Sequence, residues 1–251
     1  MISKLGVQLF TIRDYMQDAA QIRDSFTKLK DLGYDTAQTA GCPIPYEEFG
    51  AIARECGIEI IGTHDNPAVM HDDPEKAMAD HQALGTTNMG TGGEGYRSKE
   101  DVERYIRFVN EICEAVHPYG FKFTYHNHSH EFIKYGEKTA LELLAEGLDP
   151  EAASFCLDTY WVQHGGGDVR RWIEKLAGRI DILHLKDMGR DAEGPFITEV
   201  GNGNLYWDGV IETALAAGVK YFIVEQDTCP GDPFESLKIS SEYIHERYME
   251  S

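Results

Sequence analysis

Three apolar runs in the second half of the chain each close on a side chain that can bind a cation or move a proton. They are Phe155-Cys156-Leu157-Asp158, Ile182-Leu183-His184 and Phe222-Ile223-Val224-Glu225. A fourth segment, Tyr125-His126-Asn127-His128-Ser129-His130-Glu131, concentrates imidazoles and a carboxylate. Taken singly, an Asp after such a run is most often a turn or cap residue, and a lone His is more often hydrogen-bonded than metal-bound. Convergence changes the reading. Ionisable groups beside an apolar core are costly unless paired or coordinated, so Asp158, His184 and Glu225 gathered at one place call for a cation. Carboxylates with an imidazole suit Mn2+, Mg2+, Co2+ or Zn2+ better than a soft metal. Cys156 reads as a small buried hydrophobe, and no thiolate ligand is expected.

What must position these groups is an alternation of short apolar runs with amphipathic stretches. The pattern predicts strands at 4–10, 34–39, 58–64, 86–91, 121–128, 153–158, 180–186 and 221–227. Helices are expected at 16–32, closed by Gly33, at 46–56, and from Asp73-Pro74. Another starts at Ser98, where Val102, Ile106, Val109, Ile112, Cys113 and Val116 keep helical spacing. Four more are expected near 137–147, 167–177, 207–218 and 232–248. Eight strand–helix units over 251 residues, without a linker, imply an α/β fold: a single (β/α)8 TIM-barrel domain over 1–251.

The competing open sheet would want a glycine-rich phosphate loop after the first strand, where Thr11-Ile12-Arg13-Asp14 stands instead. Gly90–Gly95 does spell GxGxxG. The acidic residue expected about 20 positions on, at the end of the next strand, has no counterpart, so the segment reads as a barrel loop. In a barrel the chemistry gathers at the C-terminal ends of the strands. Gln8, His64, Asp65, Trp161, Lys186, Asp187 and Asp227 therefore join the residues above at one mouth.

A net charge of −20 repels nucleic acid, which would need a basic stripe, and acidic membrane surfaces. Lys and Arg are scattered, and no apolar run is long enough to span a membrane. Five cysteines with wide spacing and no CxxC argue for reduced thiols, and the N-terminal residues lack a signal-peptide run. The expectation is a cytoplasmic protein with a small-molecule partner, homo-oligomer formation being left open.

The segments GVQLFTIRD (6–14), YHNHSHEF (125–132), LDTYWV (157–162), GRIDILHLKDM (178–188), EVGNGNLYW (199–207) and VEQD (224–227) together carry a likeness. Over nearly its full length the chain resembles the sugar phosphate isomerase/epimerase group of the xylose isomerase-like TIM barrels. The resemblance implies a divalent metal, commonly manganese, held by ligands from strands five to eight. It also implies isomerisation or epimerisation of keto sugars, or dehydration or cleavage of keto-polyols, through an enediolate. Asp158, His184 and Glu225 fall on three of the family's metal positions. Many relatives supply a Glu within strand five, where this chain has His126. Glu131 is taken as the fourth ligand, with His126 its rival.

Within that chemistry, Glu225 is the candidate base for an epimerase, as well as a ligand. His128 or His126 is the candidate for an elimination on an inosose or 3-keto-glycoside, since a neutral imidazole can take a proton and return it to the leaving oxygen. Lys186 either steadies substrate oxygens or is a surface lysine paired with Asp187. Trp161 either stacks on a sugar face or belongs to the core. His64 is expected in the mouth as base or hydrogen-bond donor. The substrate expected is a small sugar or polyol. A barrel nuclease for abasic DNA, which shares this architecture, is disfavoured by the charge.

Overall fold

Short strands with few polar side chains facing the core bury themselves most completely when both faces are covered, which is what a parallel barrel under helices provides. The computed structural model describes residues 1–249. Eight parallel strands line its centre: Leu5–Gln8, Thr36–Thr39, Glu59–Thr63, Asn88–Thr91, Lys122–His126, Ala153–Asp158, Ile180–Leu185 and Tyr221–Val224. Each pairs with its neighbour in sequence, and the first pairs with the eighth. The ladder is interrupted only between the third and fourth strands. There Asp65 N donates to Gly90 O at 2.9 Å, Asn88 Nδ2 to Ile61 O at 3.0 Å, and Gly90 N to Thr63 Oγ1 at 3.2 Å. A Cβ on Gly90 would come within 2.1 Å of Thr63 O, so this close approach needs glycine.

The expected single barrel is therefore present, although residues 250 and 251 of the domain expected over 1–251 lie outside the described residues. Helices at Ala19–Asp31, Tyr46–Glu55, Pro74–Leu84, Lys99–Val116, Ala140–Gly147, Val169–Lys175, Trp207–Ala216 and Pro233–Tyr248 cover the barrel. The main core fills the space between strands and helices. A small inner cluster of Ile61, Cys156, Ile182 and Ile223 fills the barrel itself. No helix of the described residues is long and apolar enough to cross a membrane.

Three features were not expected. Asp73 ends a short helix at Pro67–Asp72 and caps the next one, its side chain accepting from Lys76 N. Asp158 caps a six-residue helix, Thr159–His164, directly after its strand. After the seventh strand the chain makes a hairpin of Asp187–Arg190 with Pro195–Thr198. Its turn is held by Asp191 Oδ1, which accepts from Glu193 N and Gly194 N.

Register places the site. Asp158 sits directly across from His184, and His184 across from Ile223. Because side chains alternate with period two, Ile182, His184 and Lys186 share the barrel interior with Cys156, Asp158, Ile223 and Glu225.

Candidate metal centre

His126 and Asp158 are the last residues of the fifth and sixth strands, His184 lies near the end of the seventh, and Glu225 follows the eighth. All four are buried, and one ligand atom from each lies within 4.8 Å of the others. His184 Nδ1 is 2.8 Å from Glu225 Oε2 and 3.6 Å from Asp158 Oδ2, while His126 Nε2 is 3.4 Å from the same Asp158 oxygen. Asp158 divides its two oxygens. Oδ1 accepts from Trp161 N at 2.9 Å as the helix cap, leaving Oδ2 to face the centre. Its backbone N donates to Asn127 Oδ1 at 3.0 Å, which ties the fifth strand's end to the sixth.

The donor set fits a divalent ion. His184 Nδ1 and Glu225 Oε2 are buried and face each other at 2.8 Å, with no backbone donor or acceptor between them and the centre's other ligand atoms close by. On its far side, His184 Nε2 meets Gln38 Oε1 at 2.6 Å, the outer contact typical of a ligating imidazole. Burial alone would lower the His184 pKa. The Cys156, Glu225 and Asp158 groups reverse this and hold it well above the usual value. Something positive belongs at Nδ1, a proton or a metal.

Lys186 supplies part of that charge. It is 1% exposed, with Nζ 2.9 Å from Asp158 Oδ2, 2.7 Å from Glu225 Oε2 and 3.1 Å from Asp227 Oδ1. The surface-lysine alternative is thereby overturned. Asp187 is engaged elsewhere, accepting from Gly201 N, Gly203 N and Trp207 Nε1. Burial pushes the Asp158 and Glu225 carboxyls up, but Lys186 and the neighbouring imidazoles outweigh it and hold both well below the carboxylate range. Three carboxylates against one ammonium leave two negative charges, the charge a divalent cation would neutralise.

Glu131, taken from the sequence as the fourth ligand, is not in this group. It is fully buried, but its Oε1 accepts from the Tyr125 hydroxyl at 2.7 Å and its Oε2 from His128 N at 2.9 Å. Its ligand atom clusters with His128 and His130 instead. Tyr125 points to the opposite side of the strand from His126, and the tight turn His130–Phe132 folds Glu131 back onto it. His126 holds the place beside Asp158.

Three further side chains surround the centre. The His64 ring lies 4.9 Å from His126 and 5.6 Å from His184, between centroids, and its Nε2 is buried without a partner. His128 lies 4.9 Å from His126 and 5.3 Å from Trp161, with Nδ1 likewise unpartnered. Burial, reinforced by His126, lowers the His128 pKa to about 3, and burial with His126 and His184 lowers His64 well below the usual value. Both rings are neutral. Trp161 is half-buried, with the Lys186 ammonium 5.4 Å from its ring centroid. Asp65 turns away from the centre, towards Tyr46 and His81.

The family model described as xylose isomerase-like TIM barrel matches residues 26–246. The chain belongs to that family. As a xylose isomerase-like barrel it is similar to the inosose dehydratase of Bacillus licheniformis, 27% identical over 167 residues, 59% of this chain and 55% of that protein. The chain thus spans about half the length of that curated relative. A solved sugar phosphate isomerase/epimerase from Parabacteroides distasonis superposes with a TM-score of 0.85 at 20% identity, covering 99% of this chain and 96% of that one. A D-allulose 3-epimerase from Methylomonas sp. gives 0.71 at 14% identity, covering 98% of each. At such identities these two likenesses speak for the barrel fold alone.

Gln38, whose Oε1 meets His184 Nε2 at 2.6 Å, is a contact that sequence reasoning missed. An amide between Ala37 and Thr39 on a short strand carries no chemical signature, and only its period-two placement, inward with Gln8, hinted at it.

Proposed function

We propose that this chain is a divalent-metal-dependent isomerase or epimerase that removes the proton beside the carbonyl of a small keto sugar or keto-polyol. The observation that carries the reading is the convergence of His184 Nδ1, Glu225 Oε2 and Asp158 Oδ2, with His126 Nε2 beside them. His126, Asp158, His184 and Glu225 would hold the ion, Mn2+ by preference. When bound, the ion supplies Lewis-acid stabilisation of the negative charge that enolisation places on the substrate oxygens.

The chain's own groups do the rest. Glu225, kept ionised by Lys186, is available as a base at the edge of the centre. The Lys186 ammonium is near enough to the carboxylates to steady a substrate oxygen that becomes anionic. The half-buried Trp161 offers an apolar face against a ring and helps to exclude water. His64 presents a ring nitrogen to the substrate.

A second outcome, elimination by a lyase or dehydratase acting on an inosose or 3-keto-glycoside, has its own support. His128 is neutral with an unpartnered Nδ1 close to the centre, which suits a group that takes a proton from carbon and hands it to a departing hydroxyl. The inosose dehydratase likeness points the same way.

The test is incubation in deuterated water with Mn2+ and a panel of keto sugars, inososes and 3-keto-glycosides, followed by NMR. Epimerisation or isomerisation leaves solvent deuterium at the carbon beside the carbonyl, whereas elimination carries that hydrogen away with the departing water. An epimer or isomer identifies the first, a dehydrated or cleaved product the second. Metal-independent turnover, or neither exchange nor product with any member of the panel, would sink the reading.

A further inference from the structure

A chain of buried amides runs beneath the metal centre and joins two of its imidazoles. It starts at a group whose polarity cannot be reversed. The backbone N–H of Phe10 donates to Gln8 Oε1 at 3.2 Å, Gln8 being the N-cap of the 3-10 turn Leu9–Tyr15. With its oxygen committed there, Gln8 turns its NH2 to Gln38 Oε1 at 3.0 Å and to His64 Nδ1 at 3.3 Å. The same Gln38 oxygen faces His184 Nε2 at 2.6 Å. Gln8, Gln38 and His184 are all 0% exposed, so solvent does not break the chain.

An amide can be drawn with N and O exchanged, and a neutral imidazole with its proton on either nitrogen. Here one donor removes each choice in turn. Gln8 can offer only N–H to its neighbours. Gln38 must therefore present oxygen, whose two lone pairs accept from Gln8 and from His184. His184 therefore carries a proton on Nε2, and Nδ1, facing Asp158 and Glu225, is the nitrogen left to a second proton or to an ion. By the same rule His64 Nδ1 is an acceptor, which puts its proton on Nε2, the buried nitrogen with no partner.

We propose that Gln8 and Gln38 are positioning residues that fix both tautomers, making His184 an Nδ1 ligand and His64 an Nε2–H donor kept for a substrate oxygen. A lone pair at His64 Nε2, which a base would need, is denied by the Gln8 NH2. Of the two roles open to His64, donor remains, and the base must be Glu225 or His128. The inference rests on the proposed metal-dependent function only in naming what the two nitrogens face.

The direct test is a two-bond nitrogen–proton correlation spectrum of the full chain carrying 15N-labelled histidine, with His64 assigned by His64→Asn. In the metal-free protein His64 is expected with its proton on Nε2. In Gln8→Glu the carboxylate still accepts from Phe10 N–H but has no N–H to offer, so the His64 proton is expected to move to Nδ1. With diamagnetic Zn2+ added, His184 is expected to be ligated through Nδ1 and protonated on Nε2. Gln38→Leu should weaken Mn2+ binding in calorimetry by about 10- to 100-fold, while Gln38→Glu, which keeps the acceptor, should not weaken it. A His64 proton on Nδ1 in the wild-type chain would overturn the proposal, and so would unchanged Mn2+ affinity in Gln38→Leu. The wild-type spectrum decides the His64 half even where a variant does not fold. Failure of the wild-type chain to bind Zn2+ or Mn2+ would instead count against the metal reading, leaving the His64 result standing.

Discussion

The Lys186 ammonium and the Glu225 carboxylate stand 2.7 Å apart in a place closed to solvent, with Asp158 Oδ2 2.9 Å from the same nitrogen. A lysine beside two proposed metal ligands does two opposed things. It stabilises the centre when no ion is bound, and it lowers the attraction for an ion that arrives. Lys186→Met should therefore destabilise the metal-free protein by about 3–5 kcal/mol, the usual cost of stripping one partner from a buried pair. Mn2+ should raise the melting temperature of the variant by more than it raises that of the wild-type chain. Thermal unfolding with and without Mn2+ checks both halves. A smaller metal-induced rise in the variant would mean that the ammonium helps the ion to bind.

His126→Ala and Glu131→Ala separate the two candidates for the fourth ligand. His126 Nε2 is 3.4 Å from Asp158 Oδ2, so its loss should weaken Mn2+ binding by about tenfold or more. Glu131 braces the Tyr125 hydroxyl and His128 N. Its removal leaves buried donors unsatisfied, at about 1–3 kcal/mol each, yet should keep one ion per chain. Calorimetric titration with Mn2+ alongside thermal unfolding distinguishes these. Loss of the ion in Glu131→Ala with tight binding in His126→Ala would restore Glu131 as the ligand. Asp158→Ala and Glu225→Ala should each abolish stoichiometric binding.

The barrel and three of its four central residues were legible because the signal is local. Asp158, His184 and Glu225 each close an apolar run, and such runs are the strands. The choice between His126 and Glu131 turned on a subtler pattern that the sequence also carries. In Phe121-Lys122-Phe123-Thr124-Tyr125-His126 the aromatics occupy one side of the strand, facing helices, which leaves His126 on the barrel side. Glu131 stands outside the central group because the turn that folds it back onto Tyr125 depends on a tertiary contact, which a local pattern does not carry. Gln38 was silent for a different reason: a buried amide matters only through the partners that surround it. The hairpin after the seventh strand was missed because its four-residue strands are too short for a periodicity to register.

Gly93 bears on His128 in the same way. Its φ is +109°, and a Cβ there would meet His128 Nδ1 at 2.8 Å. Gly93→Ala should push the imidazole aside and strain the backbone, costing about 1 kcal/mol or more in stability. Displacement of a reacting group by about 1 Å can cost on the order of 100-fold in rate. Turnover should fall far more than Mn2+ affinity does. Equal loss of both would place His128 among the groups that hold the ion, and unchanged turnover would remove it from the reaction.

Glu199 offers a pH test remote from the ion. It is 7% exposed, and its carboxylate accepts from Ser236 Oγ at 2.8 Å, Thr198 Oγ1 at 2.9 Å and Asn202 Nδ2 at 3.3 Å. Burial pushes its pKa up, but these hydrogen bonds outweigh it and hold it at about 2, against an ordinary value of 4.5. The carboxylate anchors the start of the segment whose Gly201 and Gly203 N–H groups bind Asp187, next to Lys186. A depressed carboxyl means that between pH 4.5 and about 2 the unfolded chain binds a proton that the folded chain does not. Its contribution is therefore complete above pH 4.5 and is lost as the pH falls towards 2. Glu199→Gln should cost about 1–2 kcal/mol at pH 7, and the gap from wild type should narrow steadily below pH 4.5. Urea unfolding of both proteins at pH 7, 4 and 3 measures it. A gap that stays constant across that range would mean that the hydrogen bonds stabilise the loop without favouring the ionised form.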